Sequence, residues 1–377
     1  MTTIWSRDAV ASIAHQPFAT VPSSFTPDLA PVLPGFDLWD YWPVQECDGS
    51  VADIAGGALQ MLLSAPVLPD PESRHALARI RAMHETADGW RDLGDLLPDG
   101  LAPGSREWSG SAIVSPDHDR VTLYFTAAGH RGEVEPSFDQ RLFETSADLT
   151  IKDGVPHLSG WTTPIESVVA DGVTYARDMT GGGGIGTIKA FRDPAWFRDP
   201  ADGAEYLLFV GSAGWLDAIF DGVIGAARRK GDRWVLTPPL IEAVGTNSEM
   251  ERPHIVVADG RYYLFWSTQA KRFSPAATEG VTGLYAMVAD RIAGPWRPVN
   301  GTGLVAANPA DEPFQAYCWW VTGEGDVISF VDFPGLEGRS PDTPETRRAH
   351  FGGTAAPWFR LTIDGDQVAI SPDPSIS

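Results

Sequence analysis

Three carboxylates stand out for their surroundings. Asp40 sits in Leu38-Trp39-Asp40-Tyr41-Trp42, Asp193 in Phe191-Arg192-Asp193-Pro194, and Glu251 in Glu249-Met250-Glu251-Arg252-Pro253-His254. Acids set among aromatic residues are costly to bury unless they are paired or used. Two carboxyl groups about 5–5.5 Å apart can cleave a glycosidic bond with retention. One attacks the anomeric carbon; the other protonates the leaving oxygen and then activates the acceptor. The like charge of a neighbour raises the acid's pKa, so Glu251 is expected to hold a proton near neutral pH. Each acid also has an ordinary alternative. Asp40 can be a turn or capping residue, Asp193 a turn aspartate before proline, and Glu251 half of a structural ion pair with Arg252. The catalytic reading needs all three, far apart in the chain, to converge.

A repeat supplies the means. Five apolar strands, Ala58–Leu63, Val121–Phe125, Tyr206–Val210, Tyr262–Trp266 and Val327–Val331, each follow a polar turn rich in Asp, Gly or Pro. Those are hairpin residues. Before each turn stands a strand of polar and aromatic character: Leu38–Trp42, Glu107–Ser111, Phe191–Pro194, Glu249–His254 and Phe314–Tyr317. The interval of roughly 55–85 residues suits one four-stranded unit with a variable loop. The repeat predicts an all-β fold, a five-bladed β-propeller whose first strands line a central funnel. Two packed β-sandwiches would explain the strands but not the fivefold recurrence, and sustained helical periodicity is absent. The chain reads as a single catalytic domain over 1–377, with residues 1–35 as an N-terminal segment packed on the outside. Ala127–Gln140 reads as a loop at the funnel rim and Gly335–His350 as another exposed loop. The second Arg-Asp-Pro, at Arg198-Asp199-Pro200, reads as a hairpin turn.

The 377 residues carry a formal net charge of −22. Such a field repels phosphate backbones and anionic lipid, so neither nucleic acid nor membrane is an expected partner, and a neutral substrate is easier to admit. The 14 tryptophans suit both sugar-stacking surfaces and cores, and alone they decide nothing. No apolar run reaches the ~18 residues of a membrane span. Met1–Gln16 lacks a basic stretch followed by an apolar one, so it is not a standard signal peptide. Cys47 and Cys318 lack metal-site spacing, and whether they pair is open.

The blocks Trp39-Asp40, Glu107-Trp108-Ser109-Gly110-Ser111, Phe191-Arg192-Asp193-Pro194 and Glu251-Arg252-Pro253-His254, in this order, resemble those of glycoside hydrolase family 68, the levansucrases, inulosucrases and β-fructofuranosidases. The resemblance runs from about Trp5 to Gly352-Gly353-Thr354. It implies a retaining sucrose-cleaving hydrolase or transferase that needs no cofactor, with sucrose and small sugar acceptors as partners. It implies that Asp40 is the nucleophile, Asp193 the transition-state stabiliser and Glu251 the acid/base. By the same carry-over Trp39 and Trp108 wall the sucrose pocket and Ser109 supports the nucleophile. Arg192 and Arg252 hydrogen-bond the sugar, and Glu249 and Tyr317 stand near the glucosyl and catalytic positions.

Two positions depart from relatives. Ser248 replaces an Asp that helps hold a structural calcium in many members, so no metal is expected there. Gln269 stands where polymer-forming relatives carry His or Arg, which favours hydrolysis or transfer to small acceptors over long levan. Substrate logic favours a place outside the cytoplasm, extracellular or periplasmic, with the cytoplasm as the alternative. Two other readings compete: a propeller glycosidase acting on pentose polymers, and a lectin-like propeller that binds sugar without cutting it.

Overall fold

The computed structural model describes residues 2–15, 17–24, 30–177 and 188–372. Tight hairpins build it. Asp259 and Gly260, both at positive φ, join Glu251–Ala258 to Arg261–Thr268, and Asp153-Gly154 likewise joins Gln140–Lys152 to Val155–Ser159. A two-residue turn with positive φ at both positions matches the twist of its flanking strands, and Asp-Gly adopts it cheaply.

Among the described residues the strands form sheets of six, nine, six and five strands, so the fold is all-β. The nine-stranded sheet is two antiparallel runs. One is Phe36–Gln45, Gly57–Pro66, Arg79–Thr86 and Gly89–Asp95; the other is Arg106–Val114, Arg120–Ala128, Gln140–Lys152 and Val155–Ser159, with Ile165–Val168 also pairing on Gln140–Lys152. They meet where Val44 and Gln45 run parallel to Ala112 and Ile113. The remaining sheets begin with Phe191–Arg198, Glu251–Ala258 and Ala316–Val321. The five leading strands touch one another in chain order, and Ala316–Val321 returns to Phe36–Gln45, closing a ring about one axis. The closure is also hydrogen-bonded: Leu38 N–H donates to Gly353 O at 2.9 Å and Gly323 N–H to Gly49 O at 3.0 Å.

Apolar side chains fill the wedges between runs, with Trp42, Trp266, Trp319 and Trp320 fully buried. The N-terminal segment fastens two sheets at their outer edges. Thr3–Ile4 pairs parallel with Ile241–Glu242, Ala19–Thr20 with Ala306–Ala307, and both strands lie at the edge opposite the leading strand. Between them Trp5 inserts edge-on against Trp266 and Tyr285, each 5.1 Å away between ring centroids. Covering exposed edges in this way removes sites for unwanted strand pairing. Residues 1, 16 and 25–29 of the segment lie outside the described residues.

The topology fixes where loops gather. The chain enters each leading strand at one end of the axis, and the antiparallel second strand returns there. The loops after the second strands, 67–78, 129–139, 213–221, 269–282 and 332–353, therefore ring one mouth. The last of these is not the open loop expected for Gly335–His350. Thr343 caps a helix, Pro344–His350, whose Arg347 and Arg348 bind Asp70 and Asp37 at 2.6 and 2.7 Å. Thr at the cap followed by Pro at the first helical position is a helix start that the Pro- and Arg-rich composition conceals.

Candidate active site

The leading strands share one irregularity. In each, pairing with the second strand slips by one residue at the same level. The slip falls between Trp39 and Tyr41, Trp108 and Gly110, Arg192 and Ala195, Glu251 and His254, and Tyr317 and Trp320. A β-bulge of this kind bends the strand and re-aims the side chains beside it. Three of the bulged residues, Asp193, Arg252 and Cys318, hold positive φ of 59°, 53° and 62°, a strained conformation for residues with a Cβ. Pro194 and Pro253 follow two of them, and a missing N–H costs nothing where the ladder is already interrupted. The bulges set two tiers around the axis: Trp39, Trp108, Arg192, Glu251 and Tyr317 just before them, and Asp40, Ser109, Asp193, Arg252 and Cys318 on them.

The second tier holds the two aspartates. Ser109 Oγ donates to Asp40 Oδ2 at 2.6 Å, which orients the carboxylate. Asp193 is buried; its N–H donates to Thr126 Oγ1 at 2.9 Å and its Oδ2 accepts from the Arg252 N–H at 3.2 Å. Thr126 in turn donates to the Ser109 carbonyl at 3.1 Å, so neighbouring strands lock the pair together. Burial pushes the Asp193 carboxyl up to about 7, reinforced by Glu251 and Asp40 against the pull of Arg192 and Arg252.

The first tier holds a chain of charge. The Arg192 guanidinium donates to Glu249 and, at 3.0 Å, to Glu251 Oε1. Arg272, from the mouth loop 269–282, forms an ion pair with Glu249 Oε1 at 2.7 Å. Tyr317 donates its hydroxyl to the other oxygen of Glu251. Glu249 is buried, its N–H bonded to Asn247 Oδ1 at 2.8 Å and its carbonyl to Thr268 Oγ1 at 2.8 Å. The acid expected to be raised by its neighbours is held down. Burial raises Glu251, but Arg192, Arg272 and the Tyr317 hydroxyl outweigh it and keep the carboxyl below its ordinary range. The carboxyl pushed up is Asp193.

The chain as a whole has relatives among known proteins. The sequence matches the family model described as Levansucrase/Invertase, glycoside hydrolase family 68, over residues 1–221 and 215–372. It is 31% identical to a levansucrase of Pseudomonas savastanoi pv. glycinea over 97% of this chain and 93% of that protein. A levansucrase of Erwinia amylovora is 30% identical over the same shares. The chain belongs to the levansucrase/invertase family. Among solved structures it is similar to an inulosucrase from Halalkalicoccus jeotgali bound to kestose, with TM-score 0.89, 34% identity and coverage of 100% and 97% of the two chains. The Bacillus subtilis levansucrase shares the fold, with TM-score 0.83 at 19% identity over 99% and 95%.

Within this family member the residues singled out by sequence do not all face the same space. Asp40, Ser109, Arg192, Asp193, Glu249, Glu251 and Tyr317 form one connected set. Trp108 is half-buried, packed on Phe138 with Arg106 beside it. Trp39 is only 2% exposed, covered by Arg74 and His75. Arg252 is 1% exposed, its guanidinium between the rings of Trp42 and Trp320 and donating to the Tyr41 carbonyl at 3.2 Å. What it presents to the site is its backbone N–H. Gln269 is half-buried and opens a short 3-10 turn, 270–272, on the loop that carries Arg272. His254 is structural: stacked on Trp320, its Nδ1 meets the Arg252 carbonyl and its Nε2 accepts from Val321 N–H, both at 2.9 Å. Cys47 is exposed and Cys318 buried, both as free thiols.

Sequence reasoning missed Arg272, which comes from a mouth loop. It also missed Gln140, whose Oε1 accepts from Phe191 N–H at 3.1 Å and from Arg192 Nη1 at 3.3 Å. Neither lies in a repeated block: Arg272 sits in the loop after a second strand, and Gln140 opens the third strand that follows such a loop.

Proposed function

We propose that this chain cleaves sucrose with retention and passes the fructosyl unit to water or a small sugar, within a single-domain five-bladed β-propeller. The propeller reading is supported by the closed ring of five leading strands, each followed by its own antiparallel run. The observation that carries the chemistry is the Ser109–Asp40 hydrogen bond of 2.6 Å. It ties one carboxylate oxygen and leaves the other to attack, in the same ring that holds Glu251.

Asp40 Oδ1 bonds to the anomeric carbon of the fructosyl unit as the bond to the glucosyl oxygen breaks, and that oxygen takes a proton from Glu251. Glu251, now a carboxylate, removes a proton from water or a sugar hydroxyl, whose oxygen displaces Asp40. Asp193 accepts hydrogen bonds from ring hydroxyls as positive charge develops. In the free protein Arg192 and Arg272 keep Glu251 ionised. A sugar that takes up Arg192 donors and excludes water weakens that hold, so Glu251 can carry the proton when the substrate is in place. The relatives named as levansucrases and the inulosucrase bound to kestose support sucrose and fructosylated sugars as the substrate class. The neutral Gln269 favours short products.

The test is product analysis with sucrose, counting glucose against free fructose. Equal amounts mean hydrolysis, and excess glucose means transfer. Asp40→Ala is expected to lower glucose release by about 10⁴-fold or more. A folded wild-type protein that releases no glucose overturns the proposal.

A further inference from the structure

Among the described residues, two polar side chains at the mouth have no hydrogen-bond partner. His75 lies in the 3-10 turn Pro71–Ala76 of the first mouth loop and is half-buried. Its ring meets Trp39 edge-on, centroids 5.8 Å apart. Asp332 opens the last mouth loop and is also half-buried. Its backbone is tied down, the N–H to Gln315 O at 3.0 Å and the carbonyl to Gly352 N–H at 2.8 Å. Among the described residues neither its carboxylate nor the His75 imidazole makes a hydrogen bond, and the Asp332 oxygens are not sealed from solvent.

Both stand beside the leading strand Phe36–Gln45: the His75 ring lies against Trp39, and the strand Asp326–Val331, which ends just before Asp332, packs on it. Asp332 feels Arg74, Glu72, Lys271 and Asp40, and burial pushes it up to about 7. His75 is pushed down by burial and by Arg74, Lys271 and Arg106, against the pull of Glu251. The supports are rigid. The Arg74 guanidinium lies 5.2 Å from the Trp39 ring and 4.4 Å from that of Phe351, and Asp70 at the start of the turn binds Arg347 of the last loop at 2.6 Å. A polar group that is shielded, fixed and left without a partner is built to receive one.

We propose that His75 and Asp332 form a hydroxyl-binding wall of the active site, hydrogen-bonding the neutral sugar seated over Asp40, with Trp39 as the backing of His75 rather than a stacking surface. A carboxyl group and an imidazole suit sugar hydroxyls, which donate and accept at once. The inference rests on the sucrose-cleaving reading and adds two residues to it.

The experiment is steady-state kinetics on sucrose for His75→Ala, His75→Gln, Asp332→Asn and the His75→Ala/Asp332→Asn double variant. The exposed change Glu345→Gln, on the helix of the last mouth loop, is the control, and thermal unfolding is measured on each. Expected is a rise in KM of about 5–50-fold for each single change, a larger one in the double, and a smaller change in kcat. Unfolding midpoints stay close to wild type, and Glu345→Gln behaves as wild type. KM unchanged in all three single variants while the wild type cleaves sucrose overturns the wall and leaves the proposed function standing. Lower midpoints with unchanged KM assign the two residues to structure and also overturn it. A wild type that does not cleave sucrose removes both.

Discussion

The third and fourth leading strands carry the same bulge at the same level, yet they use it differently. In Phe191–Arg198, Arg192 and then Asp193 both belong to the site. In Glu251–Ala258, Glu251 belongs to it, while the next side chain, Arg252, turns into the core between two tryptophans. The position before the bulge faces inward on both strands, and there Arg192 and Glu251 meet at 3.0 Å. The bulged position is decided by its neighbours: Asp193 finds N–H and hydroxyl groups, whereas Arg252 finds indole faces that attract a cation. The electrostatics diverge too. The third strand carries a carboxyl pushed up and the fourth one held down.

Arg252→Ala is the largest test of that contrast. It removes a fully buried cation stacked on two rings but keeps the N–H that binds Asp193. We expect a loss of stability of about 3 kcal/mol or more, read as a fall in the unfolding midpoint, with the folded fraction still turning over. An unchanged midpoint with lost activity would break the comparison and return Arg252 to the sugar. Arg192→Lys should do the reverse. A lysine cannot span Glu249 and Glu251 with one planar fork, so kcat/KM should fall about 10²-fold, with a smaller effect on melting.

Asp193→Asn separates the two carboxyls by pH. With the folded value near 7 against 3.8 for the free side chain, the folded protein holds a proton that the unfolded chain releases between those values. Asp193 therefore costs stability progressively as pH rises from about 4 to 7, up to roughly 4 kcal/mol above that window. The Asn variant should melt higher than wild type at pH 8, match it near pH 4, and be inactive at both. A variant that melts lower at pH 8 contradicts the raised value. The smallest effect is expected of Ser109→Ala, which frees one Asp40 oxygen: a fall in kcat of about 10-fold with little change in melting.

Much of the site was legible because it lies in contiguous blocks. Trp39-Asp40, Arg192-Asp193-Pro194 and Glu251-Arg252-Pro253 put acids beside aromatic residues, arginine and proline, an unusual company for surface strands. Asp199 was correctly set aside as a turn residue: its carbonyl accepts from Gly203 N–H at 2.8 Å and its N–H donates to Ala204 O at 2.8 Å. The hairpins were legible for the same local reason, since Asp-Gly at positive φ is written into the sequence. The helix Pro344–His350 was not, because it carries no apolar stripe and is held instead by Arg347 and Arg348 pairing with Asp70 and Asp37.

Sequence alone determined the strands, their recurrence and the acids on them, because hairpin geometry and side-chain alternation are set within a few residues. Only the tertiary structure decided which side chains meet. Asp40 and Ser109 are 69 positions apart, and Tyr41 and Arg252 are 211 apart, yet each pair shares a hydrogen bond. Ring closure likewise set the protonation pattern. Burial and the placing of Arg192, Arg272 and Tyr317 depend on neighbouring strands and mouth loops, and the Coulomb energy that shifts a carboxyl depends on distance in space, not along the chain.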